Sequence, residues 1–190
     1  MNAPHTVLLL HGMRGSGQGS VSLLETELRA LGWNETRFLR PTLPSVNLPG
    51  DQPLDEGYFR LALDEARVAC PPEVDLVVGL SYGGLLAPFL DVAQRRSVCS
   101  PWNRLPGPVL QDLSARPGWA VLQGGMDSVV TPDHLEALPA QVPWELDSEG
   151  THQFDSWMDR IATWVAGGFP RAGIDRSGLI SQRVIPAPEI

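Results

Sequence analysis

Short apolar runs alternate with amphipathic stretches along most of the chain. The apolar runs predict strands over 6–10, 35–39, 74–79, 97–100, 119–123 and 142–147. Between and after them, helical periodicity predicts helices over 20–31, 54–69, 83–95, 109–115, 132–138 and 153–165. Strands that alternate with helices build βαβ units, and these form a parallel sheet covered on both faces. The pattern therefore predicts an α/β fold with right-handed crossovers.

Two segments fall outside this alternation. Four prolines lie within 41–53, which predicts a loop there. Residues 170–190 show no clear periodicity, and we interpret them as a C-terminal tail whose order the pattern leaves open. At 190 residues the chain fits one domain, which we place at 1–169.

Composition narrows the possible partners. The chain has 14 Lys plus Arg against 22 Asp plus Glu, a net charge of −8 that disfavours binding to nucleic acid or anionic membranes. Its apolar runs are too short to cross a bilayer, and the N-terminus has no signal-peptide pattern, so we expect a cytoplasmic protein. The two cysteines form no metal-binding pattern, and their redox state stays open, as does the oligomeric state.

The stretch Gly79-Leu80-Ser81-Tyr82-Gly83 fits the pattern G-x-S-x-G. It follows a predicted buried strand and precedes a predicted helix, where a sharp turn presents such a serine as a nucleophile. Three fixed positions in five recur by chance, so the alternative is a glycine-rich turn with an N-capping serine. Only the rest of the chain can decide between the two.

A candidate acid and a candidate base follow in the order that this motif requires. Asp127 comes after the 119–123 strand and a glycine turn, and His152 lies in the loop after the 142–147 strand. Catalytic loops gather at the carboxyl edge of parallel sheets, and the chain order Ser, Asp, His is typical of the motif. Asp133 and Asp147 are alternative candidates for the acid. Asp133 is interpreted instead as a first-turn helix residue that complements the helix dipole, and Asp147 lies on the strand that precedes the histidine loop.

The loop after the first strand reads His11-Gly12-Met13. Acyl transfer needs two backbone N–H donors for the oxyanion, and we choose the amides of Met13 and Tyr82. His11 is interpreted as a structural histidine that is hydrogen-bonded within the turn. Of the remaining histidines, His5 and His134 are expected to face solvent.

Taken together, these motifs resemble the α/β-hydrolase superfamily, and in particular small lidless carboxylesterases and thioesterase-like hydrolases. The resemblance covers about residues 5 to 166. It implies a minimal, all-parallel six-stranded sheet in the order 2-1-3-4-5-6, with a triad of Ser81, Asp127 and His152. It also implies an oxyanion hole made by Met13 and Tyr82. Only 46 residues (127 − 81) separate nucleophile and acid, which leaves no room for an inserted cap domain.

The expected function is a serine esterase that cleaves short-chain carboxylic esters or thioesters through an acyl-enzyme, with no cofactor and no metal. An acyltransferase with the same triad remains an alternative, as does a hydrolase-like binding or regulatory module without turnover. Arg14 could meet an anionic substrate group, although a solvated loop arginine is the simpler interpretation. Five residues could line an acyl pocket or belong to the core: Met13, Tyr82, Leu85, Leu86 and Trp102.

Overall fold

Six parallel strands form a single sheet in the computed structural model, which describes residues 3–44, 53–113 and 116–167. The strands are β1 (Thr6–Leu10), β2 (Arg37–Leu39), β3 (Leu76–Leu80), β4 (Gln94–Val98), β5 (Trp119–Gly124) and β6 (Trp144–Asp147). Their order is β2-β1-β3-β4-β5-β6, and every neighbouring pair runs parallel. The predicted strand order is confirmed.

Helices connect these strands. They are α1 (Ser20–Ala30), α2 (Glu56–Val68), α3 (Tyr82–Leu86), α4 (Gly107–Leu113) and α5 (Met158–Ala166). The described part of the chain also has 3-10 turns at Ala87–Phe89, Trp102–Arg104, Pro132–Ala137 and Phe154–Trp157. Within the described ranges, none of the helices is long and apolar enough to cross a membrane.

Two hydrophobic cores lie on opposite faces of the sheet. On β1, Val7 and Leu9 pack with residues of α1 and α5, whereas Leu8 and Leu10 pack with residues of α2 and α3. Successive side chains of a strand point to opposite faces, so a strand buried on both must be apolar at every position. This explains the continuous apolar run that predicted β1 with its exact bounds.

The helix predicted over 83–95 is wrong. In the structure α3 ends at Leu86, and β4 begins at Gln94 rather than at 97. Pro88 ends regular helical pairing there, because proline lacks an N–H donor. Arg95 and Arg96 lie in β4 and are buried. Arg95 Nη1 donates to the carbonyl oxygens of Pro88 at 3.1 Å and Leu90 at 3.0 Å.

The remaining differences concern element ends and type. The helix predicted over 132–138 is a 3-10 turn, and the closing helix begins as a 3-10 turn before α5. The segment 45–52 of the proline-rich loop and the predicted tail at 170–190 lie outside the described residues.

Candidate active site

Ser81 sits at a sharp turn between β3 and α3. Its φ of 50° and ψ of −116° place it in a region that non-glycine residues rarely adopt. A Cβ on Gly79 would overlap the Gly83 carbonyl group, and one on Gly83 would overlap the Leu10 carbonyl group. Glycine is therefore required on either side, so that strand, turn and helix can pack this closely. The turn presents Ser81 to a cavity at the carboxyl edge of the sheet.

Asp127 and His152 are joined by a hydrogen bond. The Nδ1 atom of His152 lies 2.8 Å from Oδ2 of Asp127, whose side chain is fully buried. The other oxygen, Oδ1, accepts from the amides of Val129 at 2.9 Å and Val130 at 2.8 Å. An ionised carboxylate only accepts hydrogen bonds, so Nδ1 carries the proton and Nε2 is the basic nitrogen.

The charge state of Asp127 follows from this environment. Burial by itself raises the pKa of the carboxyl group. The hydrogen bonds from His152 and from the amides of Val130 and Val129 outweigh burial, and the pKa of Asp127 lies below its usual range. The group is therefore a carboxylate at neutral pH and can stabilise a protonated imidazole.

Backbone hydrogen bonds join the loop that carries Asp127 to the loop that carries His152. The carbonyl oxygen of Asp147 accepts from Gly125 N at 2.7 Å and from Gly150 N at 3.1 Å. Met126 N donates to the carbonyl oxygen of Gly150 at 2.9 Å. Backbone hydrogen bonds thus hold the two loops together independently of the hydrogen bond between the Asp127 and His152 side chains.

Cys99 contacts the end of β5, next to the loop that carries Asp127. It has a φ of 46°, is fully buried, and its Sγ accepts from Gly124 N at 3.2 Å. Burial, and then the nearby charge of Asp127, raise the pKa of the Cys99 thiol. Cys70 is half-buried, and both cysteines are free thiols. Because the thiolate is the nucleophilic form, Cys99 is a poor candidate for catalysis.

The loop after β1 passes against Ser81. A Cβ on Gly12 would lie 3.2 Å from the Ser81 Cβ, so glycine lets this backbone approach the serine. Met13 lines the same cavity as Ser81. Tyr82 is the first residue of α3, and the first amides of a helix have no partner within it. Both predicted oxyanion donors therefore belong to segments that flank Ser81.

His11 connects this loop to the start of the proline-rich segment. Its Nδ1 donates to the carbonyl oxygen of Gly12 at 2.6 Å, and its Nε2 accepts from Leu43 N at 2.8 Å. Both ring nitrogens are occupied by backbone groups, which confirms the structural interpretation of this buried histidine.

The rival acids and histidines lie elsewhere. The carboxylate of Asp147 binds Arg160, with Nε at 2.7 Å from Oδ2, and that of Asp133 accepts from the hydroxyl of Thr131. His5 is exposed, as expected. The expectation for His134 is wrong, because it is buried where its 3-10 turn packs against the protein.

The cavity in front of Ser81 has a volume of about 270 Å³. Of the predicted pocket residues, Met13 lines it, whereas Tyr82, Leu85, Leu86 and Trp102 belong to the core. Sequence reasoning missed several of its wall residues: Leu80, Pro101, Arg104, Val129, Val130 and Phe154. The predicted strand over 97–100 already left Arg104 in the loop after it, and loops that follow a strand at this edge form the site, so this position was the available signal. Among the described residues, no cluster of His, Cys, Asp or Glu could hold a metal ion.

Comparison with known proteins decides the family. The sequence profile described as the alpha/beta hydrolase family matches residues 7–185 of the chain. The chain belongs to this family. Membership supports a hydrolase activity, and it agrees with the strand order and with the serine turn described above. A search of curated protein sequences gives no match.

Solved structures with the alpha/beta hydrolase fold cover most of the chain. An alpha-beta serine hydrolase homologue from Coxiella burnetii shares 17% identity, with a TM-score of 0.64 and coverage of 89% of this chain and 88% of that one. Acyl-protein thioesterase 2 from Zea mays shares 18% identity, with a TM-score of 0.61 and coverage of 88% and 94%.

A third similar structure is an a/b serine hydrolase without lid from Xanthomonas campestris. It shares 19% identity, with a TM-score of 0.57 and coverage of 88% of this chain and 82% of that one. At such low identities these similarities establish the fold of this alpha/beta hydrolase and leave its substrate to be argued from the site.

Proposed function

We propose that the protein is a serine hydrolase that cleaves carboxylic esters or thioesters through Ser81, His152 and Asp127. The observation that carries this proposal is the hydrogen bond between His152 Nδ1 and the buried Asp127 carboxylate, at 2.8 Å, beside the cavity that Ser81 lines. A histidine held in this tautomer presents Nε2 as a base toward the serine side.

Each residue has a distinct task in the proposed reaction. Ser81 Oγ attacks the acyl carbonyl carbon while His152 takes its proton, and the amides of Met13 and Tyr82 stabilise the oxyanion. His152 then returns the proton to the departing alkoxide or thiolate, which leaves an acyl-enzyme on Ser81. Water, deprotonated by His152, releases the carboxylic acid and restores the serine.

The other parts of the site support this assignment. The positive φ of 50° at Ser81 is a conformational cost that the fold retains at the turn of the candidate nucleophile. No binding role needs a serine turn, a buried acid, a tautomer-fixed histidine and oxyanion amides at once. The Zea mays protein of the same fold is named an acyl-protein thioesterase, which makes thioesters a sensible part of the substrate panel.

The test is labelling of the purified chain with a fluorophosphonate, together with hydrolysis of 4-nitrophenyl butyrate. Wild type should label and turn over, whereas Ser81→Ala should do neither and keep the wild-type thermal unfolding temperature. Ser100→Ala offers a matched control, because Ser100 is also a buried serine after a neighbouring strand.

Three other results would redirect the assignment. Full labelling of Ser81→Ala would show that another nucleophile reacts. Absence of both labelling and turnover in wild type would favour a binding or regulatory module. Faster product formation with added alcohol or amine acceptors than with water would identify an acyltransferase.

A further inference from the structure

Gln123 is a polar residue inside an otherwise apolar strand. It lies near the end of β5, every residue of which is buried, and Gln123 itself is fully buried. Strands that are covered on both faces normally carry apolar residues, and a buried amide is costly unless it is hydrogen-bonded. The role of this glutamine therefore has to be sought in the bonds that its side chain makes.

We propose that Gln123 is a positioning residue for the hydrolysis. Its side-chain amide holds both ends of the acid loop, which we define as residues 124–130, and thereby holds the Asp127 carboxylate against His152. The proposal rests on the hydrolase function proposed above and adds to it a residue outside the triad. Gln123 does not line the cavity in front of Ser81, so it acts through Asp127 and not on the substrate.

One atom of Gln123 bonds to both ends of the acid loop. Its Nε2 donates to the carbonyl oxygen of Val130 at 2.7 Å and to that of Gly124 at 3.2 Å. A primary amide nitrogen carries two hydrogens, so each carbonyl group receives a hydrogen of its own. The opposite orientation of the amide would point Oε1 at two other oxygens, so the nitrogen must face the carbonyl groups.

The two residues that Gln123 binds are both hydrogen-bond partners of Asp127. Val130 N donates to Asp127 Oδ1 at 2.8 Å, and the Gly124 carbonyl oxygen accepts from Asp127 N at 3.3 Å. In Val130 the N–H and the carbonyl group lie on either side of one Cα, so a fixed carbonyl group limits where the N–H can point. Gln123 therefore restrains the backbone of Asp127 at one end of the acid loop and its carboxylate at the other.

The orientation of this carboxylate matters for the proposed base. Oδ1 is held by backbone amides, which leaves Oδ2 to accept from His152 Nδ1 at 2.8 Å. If the carbonyl group of Val130 loses its donor, the end of the acid loop can move and the carboxylate can turn away from the imidazole. A displacement of about 1 Å in a catalytic group can lower the rate by about 10²-fold.

The test removes the donor and little else. Gln123→Met keeps the length of the side chain without its N–H groups, and Oε1 has no hydrogen-bond partner to lose among the described residues. Thr36→Val is the matched control. Thr36 is also buried, and its Oγ1 donates to a backbone carbonyl oxygen, that of Pro4, at 2.7 Å. It lies just before β2, at the edge of the sheet opposite the site.

Gln123→Met should lower kcat for 4-nitrophenyl butyrate by about 10- to 100-fold and leave KM within about two-fold of wild type, because Gln123 does not touch the substrate. Thr36→Val should keep both constants within about two-fold. In the Asp127→Asn background, Gln123→Met should cost less than about three-fold, because the carboxylate that it positions is already absent. A wild-type kcat in Gln123→Met, or an equal loss in both backgrounds, would show that Gln123 serves the fold alone.

A spectroscopic measurement separates positioning from stability. Proton NMR of wild type should show a downfield signal from His152 Nδ1–H in its hydrogen bond to Asp127. Gln123→Met should weaken this signal or move it upfield, whereas Thr36→Val should leave it in place. An unchanged signal in Gln123→Met would contradict the inference even if that variant is less stable than wild type.

Hydrogen exchange of wild type decides the case in which Gln123→Met does not fold. The side-chain amide of Gln123 and the backbone amide of Val130 should be protected together, because one opening of the acid loop exposes both. If the Gln123 side-chain amide exchanges as fast as that of the exposed Gln18 while Val130 stays protected, the inference is wrong.

The two proposals fail in different ways. If wild type hydrolyses esters through Ser81 and Gln123→Met has wild-type kinetics, this inference is wrong and the proposed hydrolase function stands. If wild type neither labels with fluorophosphonate nor hydrolyses any ester, the proposed function fails and the inference with it.

Discussion

Arg160 on α5 binds the carboxylate of Asp147 at the end of β6, with Nε at 2.7 Å from Oδ2 and Nη2 at 3.3 Å from Oδ1. These two residues lie on either side of the loop that carries His152. The amide of Glu149 also donates to Asp147 Oδ1, at 3.1 Å. Asp147 therefore stabilises the loop that carries His152 through its own contacts, while the His152 side chain is hydrogen-bonded to Asp127.

The assignment of the acid gives the first prediction. Asp127→Asn should keep the shape of the site but favour the wrong histidine tautomer, and turnover should fall by roughly 10⁴-fold, as in the template triad. Asp133→Asn should stay within a few-fold of wild type, because Asp133 contacts Thr131 and not His152. The measurement is kcat/KM for 4-nitrophenyl butyrate with each variant. If Asp127→Asn keeps near wild-type activity while Asp133→Asn or Asp147→Asn is inactive, the wrong carboxylate was chosen.

The contact between Arg160 and Asp147 gives the second prediction. Arg160→Met removes the ion pair that joins α5 to β6 and should loosen the histidine loop, which lowers kcat/KM by up to about 10²-fold through misplacement of His152. The loss should be smaller than that of Asp127→Asn, and fluorophosphonate labelling should slow without disappearing. Arg37→Met, at the exposed pair with Glu73, controls for loss of a surface arginine. Equal rates in Arg160→Met and Arg37→Met would show that the pair does not position the loop.

The lowered pKa of Asp127 gives the third prediction. A carboxyl group whose pKa is lower in the folded than in the unfolded state stabilises the fold above its unfolded pKa of about 3.9, and this contribution is lost as the pH falls through the folded pKa. The free energy of unfolding of wild type, minus that of Asp127→Asn, should therefore shrink below about pH 4.

Urea unfolding of both proteins, from about pH 7 down to about pH 3, measures this difference. Asp133→Asn serves as the control for loss of one exposed carboxylate. A difference between wild type and Asp127→Asn that stays constant or grows on acidification would contradict the stated environment of Asp127.

The volume of the cavity, about 270 Å³, gives the fourth prediction. Activity toward neutral 4-nitrophenyl esters should peak at about two to six acyl carbons, because longer tails stay in water and add no stabilisation in the transition state. Each fully buried methylene would otherwise contribute about 0.8 kcal/mol. The measurement is kcat/KM from acetate to palmitate, below the concentrations at which the long esters form micelles. A steady rise beyond twelve carbons would show that a deep acyl tunnel exists.

Much of the fold could be predicted because burial on both faces of a sheet requires a continuous apolar strand. This rule gave β1, whereas the order of the six strands followed from the resemblance to the α/β-hydrolase superfamily. It failed at β4, where Arg95 and Arg96 are buried with their charges. Arg95 is accommodated by the carbonyl oxygens of Pro88 and Leu90, and no periodicity along the chain reveals such partners.

The candidate site divides in the same way. The sequence by itself determined that Ser81, Asp127 and His152 each follow a strand, and parallel strands bring such positions to one edge of the sheet. Only the tertiary structure decided that Asp127 faces His152 while Asp147 faces Arg160, and that Arg104 lines the cavity. The physical reason is that a buried strand shows its burial in its own sequence, as a run of apolar residues. The partner of a charged side chain is set instead by how loops distant in the sequence pack together.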